Sequence, residues 1–152
     1  MNSISTKTHS PAETEQLAAD IGRRLRGGEV IELKSDLGGG KTTFVRGLAG
    51  GFGSHDRVAS PTFTISKQYK AGDKLLAHYD FYRLNEAGLM RHELEEVIND
   101  PDVVTVVEWG DIVADVLPAH RLSVEIKSIG DESRELSISW PETLAYLVEG
   151  LR

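Results

Sequence analysis

The sequence predicts a single α/β domain, and three observations lead to that prediction. The short apolar segment Val30–Lys34 is followed by a glycine-rich loop, and a helical pattern begins directly after it at Lys41 or Thr42. The unbroken β-branched run Val103–Val107 is typical of a strand that is buried on both faces of a parallel sheet. A chain of 152 residues is long enough for one domain that buries roughly two-thirds of the surface exposed by the unfolded chain.

A first helix is predicted to begin at Ser10. The sequence Ser-Pro-Ala-Glu combines a capping serine, a proline at the first helical position and a glutamate three residues after the cap. Apolar residues then keep helical spacing, and Gly27–Gly28 is expected to end the helix. Residues 1–9 are expected to be flexible. The helix after the glycine-rich loop is expected to stop at the sequence Gly-Gly-Phe-Gly.

The middle of the chain is predicted to form a β-hairpin. Ser60–Tyr69 has the β-branched alternation of a strand, Lys70–Lys74 supplies the turn, and Leu75–Leu84 is the second strand. Asn85 is expected to cap a helix whose apolar positions extend to Ile98.

The last part of the chain is predicted to contain two further strands after the run at Val103–Val107. These are Arg121–Lys127 and Arg134–Trp140, on either side of a short turn. Pro141–Leu151 is expected to be a terminal helix. The sequence contains no internal repeat and no linker, so residues 1–152 are expected to form one domain.

The composition excludes several classes of function. With 17 basic and 24 acidic residues the formal net charge is -7, which would repel a polyanion, so any nucleic acid is expected to be held by another chain. There is no cysteine, and the five histidines lack paired zinc-ligand spacing, so no zinc site is expected. No apolar run approaches the ~20 residues of a membrane span, and the N-terminus lacks the apolar core of a secretory signal. A cytoplasmic protein is therefore expected.

The glycine-rich loop has the pattern of a phosphate-binding loop. Successive backbone N–H groups at its glycines can form an anion-binding nest, and the following helix directs its positive end to the same place. Lys41 would reach the terminal phosphates, and the Thr42 hydroxyl would ligate Mg²⁺. A glycine-rich turn with an incidental lysine is the alternative interpretation. The predicted phosphate-binding residues are Asp36, Leu37, Gly38, Gly39, Gly40, Lys41, Thr42 and Thr43.

The first position of this loop pattern holds Ser35 in place of glycine. If the backbone there is left-handed, serine costs roughly 1 to 2 kcal/mol relative to glycine. The nest, Lys41 and Thr42 all lie downstream, so none of the phosphate donors is lost.

Two carboxylates are candidates for the chemistry. Glu108 follows the run at Val103–Val107 and is the expected metal partner of Thr42, although it could simply start an exposed loop. Asp80 interrupts an apolar strand, where a carboxylate is costly unless it is bonded or coordinated. It could position a water molecule, complete the outer shell of the metal, or cap a turn. His78 is more typical of a structural hydrogen-bonded residue than of a ligand.

Four separated motifs resemble the TsaE family (also known as YjeE), the small bacterial ATPases of tRNA threonylcarbamoyladenosine synthesis. They are "DLGGGKTTFVRGL", "SPTFTI", "HYDFYRL" and "VVEWGD", in this order and spacing. The resemblance extends from the Ser10 helix to about Arg134. It implies a P-loop NTPase-like domain with a mixed sheet whose parallel core is flanked by helices and antiparallel strands.

The resemblance also implies a function and roles for residues. The chain would be a Mg²⁺-dependent ATPase, slow alone and stimulated by partners, required with TsaD and TsaB for threonylcarbamoylation of the tRNA adenosine next to the anticodon. It would meet tRNA only through that complex. Lys41 would bind phosphates, Thr42 and Glu108 would hold Mg²⁺, and Asp80 would be needed for hydrolysis. Further residues implied near the nucleotide or its switch are Trp109, Ser60, Pro61, Thr62, Thr14 and Arg134.

Ser35 is the main departure from the family, which usually has glycine there. Two other functions remain as alternatives, a nucleotide-dependent interaction switch without significant turnover and a small-molecule kinase. A kinase would be expected to carry an arginine-rich lid, which the sequence does not clearly show. Asp80 and Glu108 favour hydrolysis over the switch, because nucleotide binding alone does not need two acids.

Overall fold

A mixed sheet of seven strands is the centre of the fold in the computed structural model, which describes residues 2–35, 40–58, 66–81, 89–108 and 113–151. Helices lie against this sheet. The elements in chain order are β1 (Asn2–Thr8), α1 (Pro11–Gly22), β2 (Val30–Ser35), α2 (Lys41–Phe52), β3 (Ser66–Ala71), β4 (Lys74–Asp80), α3 (Leu89–Ile98), β5 (Val103–Glu108), β6 (Leu122–Ser128), β7 (Arg134–Trp140) and a terminal 3-10 helix (Glu142–Val148).

The strands lie in the order β1-β7-β6-β2-β5-β4-β3. The four central strands, β6, β2, β5 and β4, are mutually parallel, whereas β1, β7 and β3 pair antiparallel with their neighbours. The predicted mixed sheet with a parallel core is therefore confirmed. Because β2, β4 and β5 are parallel, their carboxyl ends meet at one edge, where open α/β sheets bind their ligands.

The helices cover the two faces of the sheet unequally. On one face, α1, α2 and the terminal 3-10 helix enclose the larger apolar core, which includes Ile31, Leu33, Val104 and Val106. On the other face, α3 packs over β4 and β5 through Leu94. None of the described helices is long and apolar enough to cross a membrane.

The first helix begins as predicted and ends earlier. The Ser10 Oγ accepts a hydrogen bond from the Glu13 backbone N–H at 3.2 Å, and Pro11 is the first helical residue. The α-helix ends at Gly22, not at Gly27–Gly28, because the chain tightens into turns that the buried Glu29 carboxylate holds in place. That carboxylate accepts the N–H groups of Arg26 at 2.8 Å and Gly27 at 2.7 Å.

Other segments differ from their predicted form. Residues 2–8 of the segment expected to be flexible form strand β1, which pairs with β7 along its whole length. The terminal helix is a 3-10 helix, Glu142–Val148, shorter than the predicted Pro141–Leu151. The hairpin is present, with its turn at Gly72 and Asp73. The predicted strand residues 60–65 and 82–84, with Asn85, lie outside the described residues.

Helices α1 and α2 approach each other backbone to backbone. A Cβ atom added at Gly47 would lie 2.3 Å from the Glu15 carbonyl oxygen, and one at Gly22 would lie 2.4 Å from the Leu48 carbonyl oxygen. A Cβ at Gly51 would lie 2.3 Å from the Ala19 carbonyl oxygen. These three glycines therefore set the separation of the two helices and, with it, the position of α2 on the sheet.

We expect Gly47→Ala to lower the free energy of unfolding by about 1–3 kcal/mol, because the new methyl group would overlap backbone atoms that cannot rotate away. Gly50→Ala is the matched control on the same helix. A Cβ at Gly50 has no atom within 4 Å, so this change should be stabilising by up to about 1 kcal/mol through helix propensity. Urea unfolding of the three proteins measures both effects. Equal stability of the two variants would contradict the close approach.

Candidate functional site

The candidate site lies at the carboxyl edge of the parallel strands, where α2 begins. Gly40 precedes the helix with a left-handed backbone, at φ 99°, which favours glycine. Glycine has no side chain with which to cap the helix, and the first N–H groups of a helix have no partner within it. Lys41, Thr42 and Thr43 form that turn and are partly buried.

Glu108 is the buried carboxylate of this edge, at the end of β5. Only 3 % of the residue is exposed. Its Oε1 lies 3.3 Å from the Lys41 Nζ, and its Oε2 makes a hydrogen bond with the Nε2 of His78. Burial by itself raises the pKa of Glu108, but hydrogen bonds and electrostatic interactions with His78 and Lys41 outweigh it and hold the pKa below the ordinary value. Glu108 is therefore an ionised carboxylate held between two donors.

Asp80 lies beside Glu108. The two residues are direct partners in the parallel register of β4 and β5. The next residue, Phe81, donates its backbone N–H to the Glu108 carbonyl oxygen at 3.1 Å, which ties the two strand ends together. The two acids predicted from the sequence are thus neighbours at the edge that Lys41 reaches.

The chemistry of Glu108 and Thr42 fits a magnesium ion of the kind that is bound together with a nucleotide. The part of the chain that the structure describes contains no group of three or more His, Asp or Glu side chains that could hold a metal by itself. Mg²⁺ does not need such a group, since one or two carboxylates together with phosphate oxygens and water complete its shell. Glu108 and the Thr42 hydroxyl are suited to that role.

Arg134 lies next to Gly40. Its Nε is 3.5 Å from the position that a Cβ on Gly40 would take. The guanidinium also holds the turn before β7, because Nη1 donates to the carbonyl oxygens of Ser133 at 2.8 Å and Gly130 at 3.2 Å. Arg134 thus lies close to the residue that precedes Lys41, and its role at the nucleotide stays a prediction.

Thr14 is buried against strand β1. Only 1 % of it is exposed, and its Oγ1 lies 2.6 Å from the Oγ1 of Thr8, a residue of β1. Thr14 therefore forms a structural contact between α1 and β1, and its implied approach to the nucleotide stays a prediction. The sequence does not indicate this contact, because its local pattern does not predict β1.

Ser35 is the last residue of β2 and pairs with Ile126 of β6. The chain at Ser35 thus continues an extended strand, which serine adopts without the cost of a left-handed backbone. The remaining predicted residues of the loop and its surroundings lie outside the described residues. They are Asp36, Leu37, Gly38, Gly39, Ser60, Pro61, Thr62 and Trp109.

His78 is the residue of the site that sequence reasoning undervalues. It is a hydrogen-bonded histidine, as the sequence suggests, but its partner is the predicted metal ligand Glu108. The available signal is its spacing of two residues from Asp80, because alternate residues of a strand point to the same face of the sheet.

Comparison with known proteins agrees with the motifs. Residues 8–136 match the family model described as threonylcarbamoyl adenosine biosynthesis protein TsaE. The tRNA threonylcarbamoyladenosine biosynthesis protein TsaE of Bacillus subtilis is 37% identical over 139 residues, which cover 91% of this chain and 87% of the relative. The protein of the same name from Treponema pallidum is 34% identical over 133 residues, covering 87% of this chain and 97% of the relative.

A solved structure extends the agreement to the fold. The crystal structure of YdiB from Bacillus subtilis superposes with a TM-score of 0.76 at 34% sequence identity, and the match covers 97% of this chain and 93% of YdiB. The resemblance drawn from the four motifs and the predicted fold class are both confirmed. The chain belongs to the TsaE family.

Proposed function

We propose that this chain is a Mg²⁺-dependent ATPase that supports threonylcarbamoylation of tRNA together with TsaD and TsaB. The TsaE family consists of nucleotide-binding P-loop proteins of this tRNA modification. The observation that carries the proposal is the contact between Lys41, at the start of α2, and the buried Glu108, at the end of β5. It joins a phosphate-binding lysine to a carboxylate of the metal-binding type at the ligand-binding edge of the sheet.

Each residue has a role in this proposal. Lys41 binds the terminal phosphates of ATP, while Thr42 and Glu108 hold Mg²⁺, which neutralises the charge on those phosphates. Asp80 orients the attacking water beside Glu108. The backbone of Asp36 to Thr43 cradles the phosphates, and Trp109 belongs to the same active-site region.

The partners follow from the family and from the charge of the chain. A net charge of -7 opposes tRNA binding by this chain itself, so TsaD and TsaB hold the tRNA. Hydrolysis is slow in isolation and faster in the complex, because charge stabilisation supplied in trans is worth about 10³ to 10⁵ in related phosphoryl transfer. As tRNA modification requires, we assign the protein to the cytoplasm.

A nucleotide-dependent switch without turnover is the second candidate. It would use the same Lys41 and Glu108 contacts but would gain nothing from Asp80. The adjacency of Asp80 and Glu108 favours hydrolysis, since two acids at one phosphate site exceed what binding needs.

We expect Asp80→Ala to lower ATP turnover by about 10² to 10⁴ with nucleotide binding retained, because it removes the group that orients water. Glu108→Ala should abolish turnover. Glu125→Ala is the control, since Glu125 is a strand carboxylate at the surface, 3.4 Å from Lys127. Turnover is measured with purified protein, alone and with TsaD, TsaB and tRNA. Full activity in both site variants would contradict the ATPase, and nucleotide binding without turnover under any condition would support the switch.

We expect Arg134→Ala to weaken ATP binding about tenfold, because the variant loses one charge-assisted contact worth ~1.4 kcal/mol. Arg46→Ala is the control, because Arg46 is an exposed arginine of α2 that pairs only loosely with Glu15, at 3.7 Å. Titration with a fluorescent ATP analogue measures the affinities. Thermal unfolding separates lost binding from loss of the turn that Arg134 holds. Unchanged affinity in a stable Arg134→Ala protein would remove Arg134 from the nucleotide site.

We expect no measurable binding of tRNA to the isolated chain at physiological salt, since its net charge repels the phosphate backbone. Fluorescence anisotropy with labelled tRNA, over a range of salt concentrations, tests this. A salt-sensitive micromolar affinity would show that the chain reads tRNA itself.

A further inference from the structure

We propose that His78 is a positioning residue for Glu108, which holds one carboxylate oxygen so that the other faces the phosphate loop. This inference rests on the proposed magnesium and nucleotide site. It assigns to His78 a role in that site which neither its motif nor its burial alone indicates.

The hydrogen bond to Glu108 is what distinguishes a histidine from an apolar residue at position 78. The residue is 2 % exposed, its Nε2 bonds to Glu108, and its Nδ1 is buried without a hydrogen-bond partner in the described part of the chain. The unpartnered Nδ1 costs free energy, but an apolar side chain of similar size would remove the Nε2 donor of the buried Glu108 carboxylate. The bond to Glu108 is therefore the interaction that the histidine provides.

The two oxygens of Glu108 have different partners. Oε2 bonds to His78, whereas Oε1 lies 3.3 Å from the Lys41 Nζ. A carboxylate can rotate about its last bond, and a fixed donor on one oxygen sets its plane. Hydrogen-bonded partners orient metal-binding carboxylates in this way, and their loss costs metal affinity or activity.

The two contacts also differ in whether they can persist when nucleotide binds. Lys41 is the phosphate-binding lysine of the proposed site, so its ammonium must turn from Glu108 towards the nucleotide. His78 lies in β4, is fully enclosed, and has no such second task. When Lys41 turns away, His78 keeps Glu108 in place and leaves Oε1 open to the metal.

Three substitutions test the inference. His78→Leu removes the donor, His78→Asn shortens the side chain so that its amide falls short of Glu108, and His78→Gln carries an amide N–H to about the position of Nε2. Thr105→Val is the matched control, because Thr105 lies on the neighbouring strand β5, is fully buried, and also has an unpartnered polar atom, its Oγ1, within the described part of the chain.

The measurement is the affinity for a fluorescent ATP analogue with Mg²⁺ and with excess EDTA. The ratio of the two affinities reports how well the protein holds the metal. We expect this ratio to fall roughly 10- to 100-fold in His78→Leu and His78→Asn, with the EDTA affinity unchanged. His78→Gln should restore most of the ratio, and Thr105→Val should equal the wild type.

The outcomes separate this inference from the proposed function. A wild-type protein that gains no affinity from Mg²⁺ would overturn the magnesium site and with it this inference. A normal metal effect in folded His78→Leu and His78→Asn would overturn only the role of His78. If His78→Leu fails to fold, the comparison of the Asn and Gln variants decides, because a purely structural role gives no reason for rescue by Gln.

A second readout needs no nucleotide. The ¹⁵N NMR spectrum of the free protein should place a proton on the Nε2 of His78, and Glu108→Gln should shift that signal. A proton on Nδ1 with a bare Nε2 would contradict the hydrogen bond to the ionised Glu108.

Discussion

The candidate site depends on one physical requirement, compensation of the buried Glu108 carboxylate. Removing a carboxylate from water is expensive unless charged or polar groups replace the lost hydration. Lys41 and His78 provide that replacement from two different elements, α2 and β4, while Glu108 itself ends β5. The three elements must therefore meet correctly for the charge to be tolerated. The same requirement brings together the groups that the proposed chemistry uses.

The position of α2 is the second constraint, and it is set far from Glu108. Lys41 can reach the Glu108 carboxylate only if α2 has the correct position along the sheet and the correct distance from it. The glycine contacts with α1 set that distance, and the buried residues Phe44, Val45 and Leu48 anchor the helix to the sheet. Packing in the core thus holds Lys41 in place, as expected of sites built on rigid elements.

How much can be predicted from the sequence follows from the range of each interaction. Some features depend only on residues that are neighbours in the sequence, so the local pattern is sufficient to predict them. These are the Ser10 cap, the parallel strand at Val103 and the helix at Lys41. Strand β1 rests on pairing with β7, more than a hundred residues away in the chain, and no local pattern reports such a partner. The early end of α1 depends on Glu29, whose carboxylate meets the turn only after folding. The bond between His78 and Glu108 likewise depends on the register of two strands.

The serine at the start of the phosphate loop illustrates the same distinction between pattern and structure. Judged by the pattern alone, Ser35 replaces a glycine and threatens the site. In the fold, Ser35 continues β2 and pairs with β6, whereas the left-handed backbone of the described loop residues is found at Gly40. A serine in extended conformation carries no conformational strain, whereas a side chain at Gly40 would be strained by the left-handed backbone. The glycine on which this end of the loop depends is therefore the last one, directly before Lys41, and that position is intact in this chain.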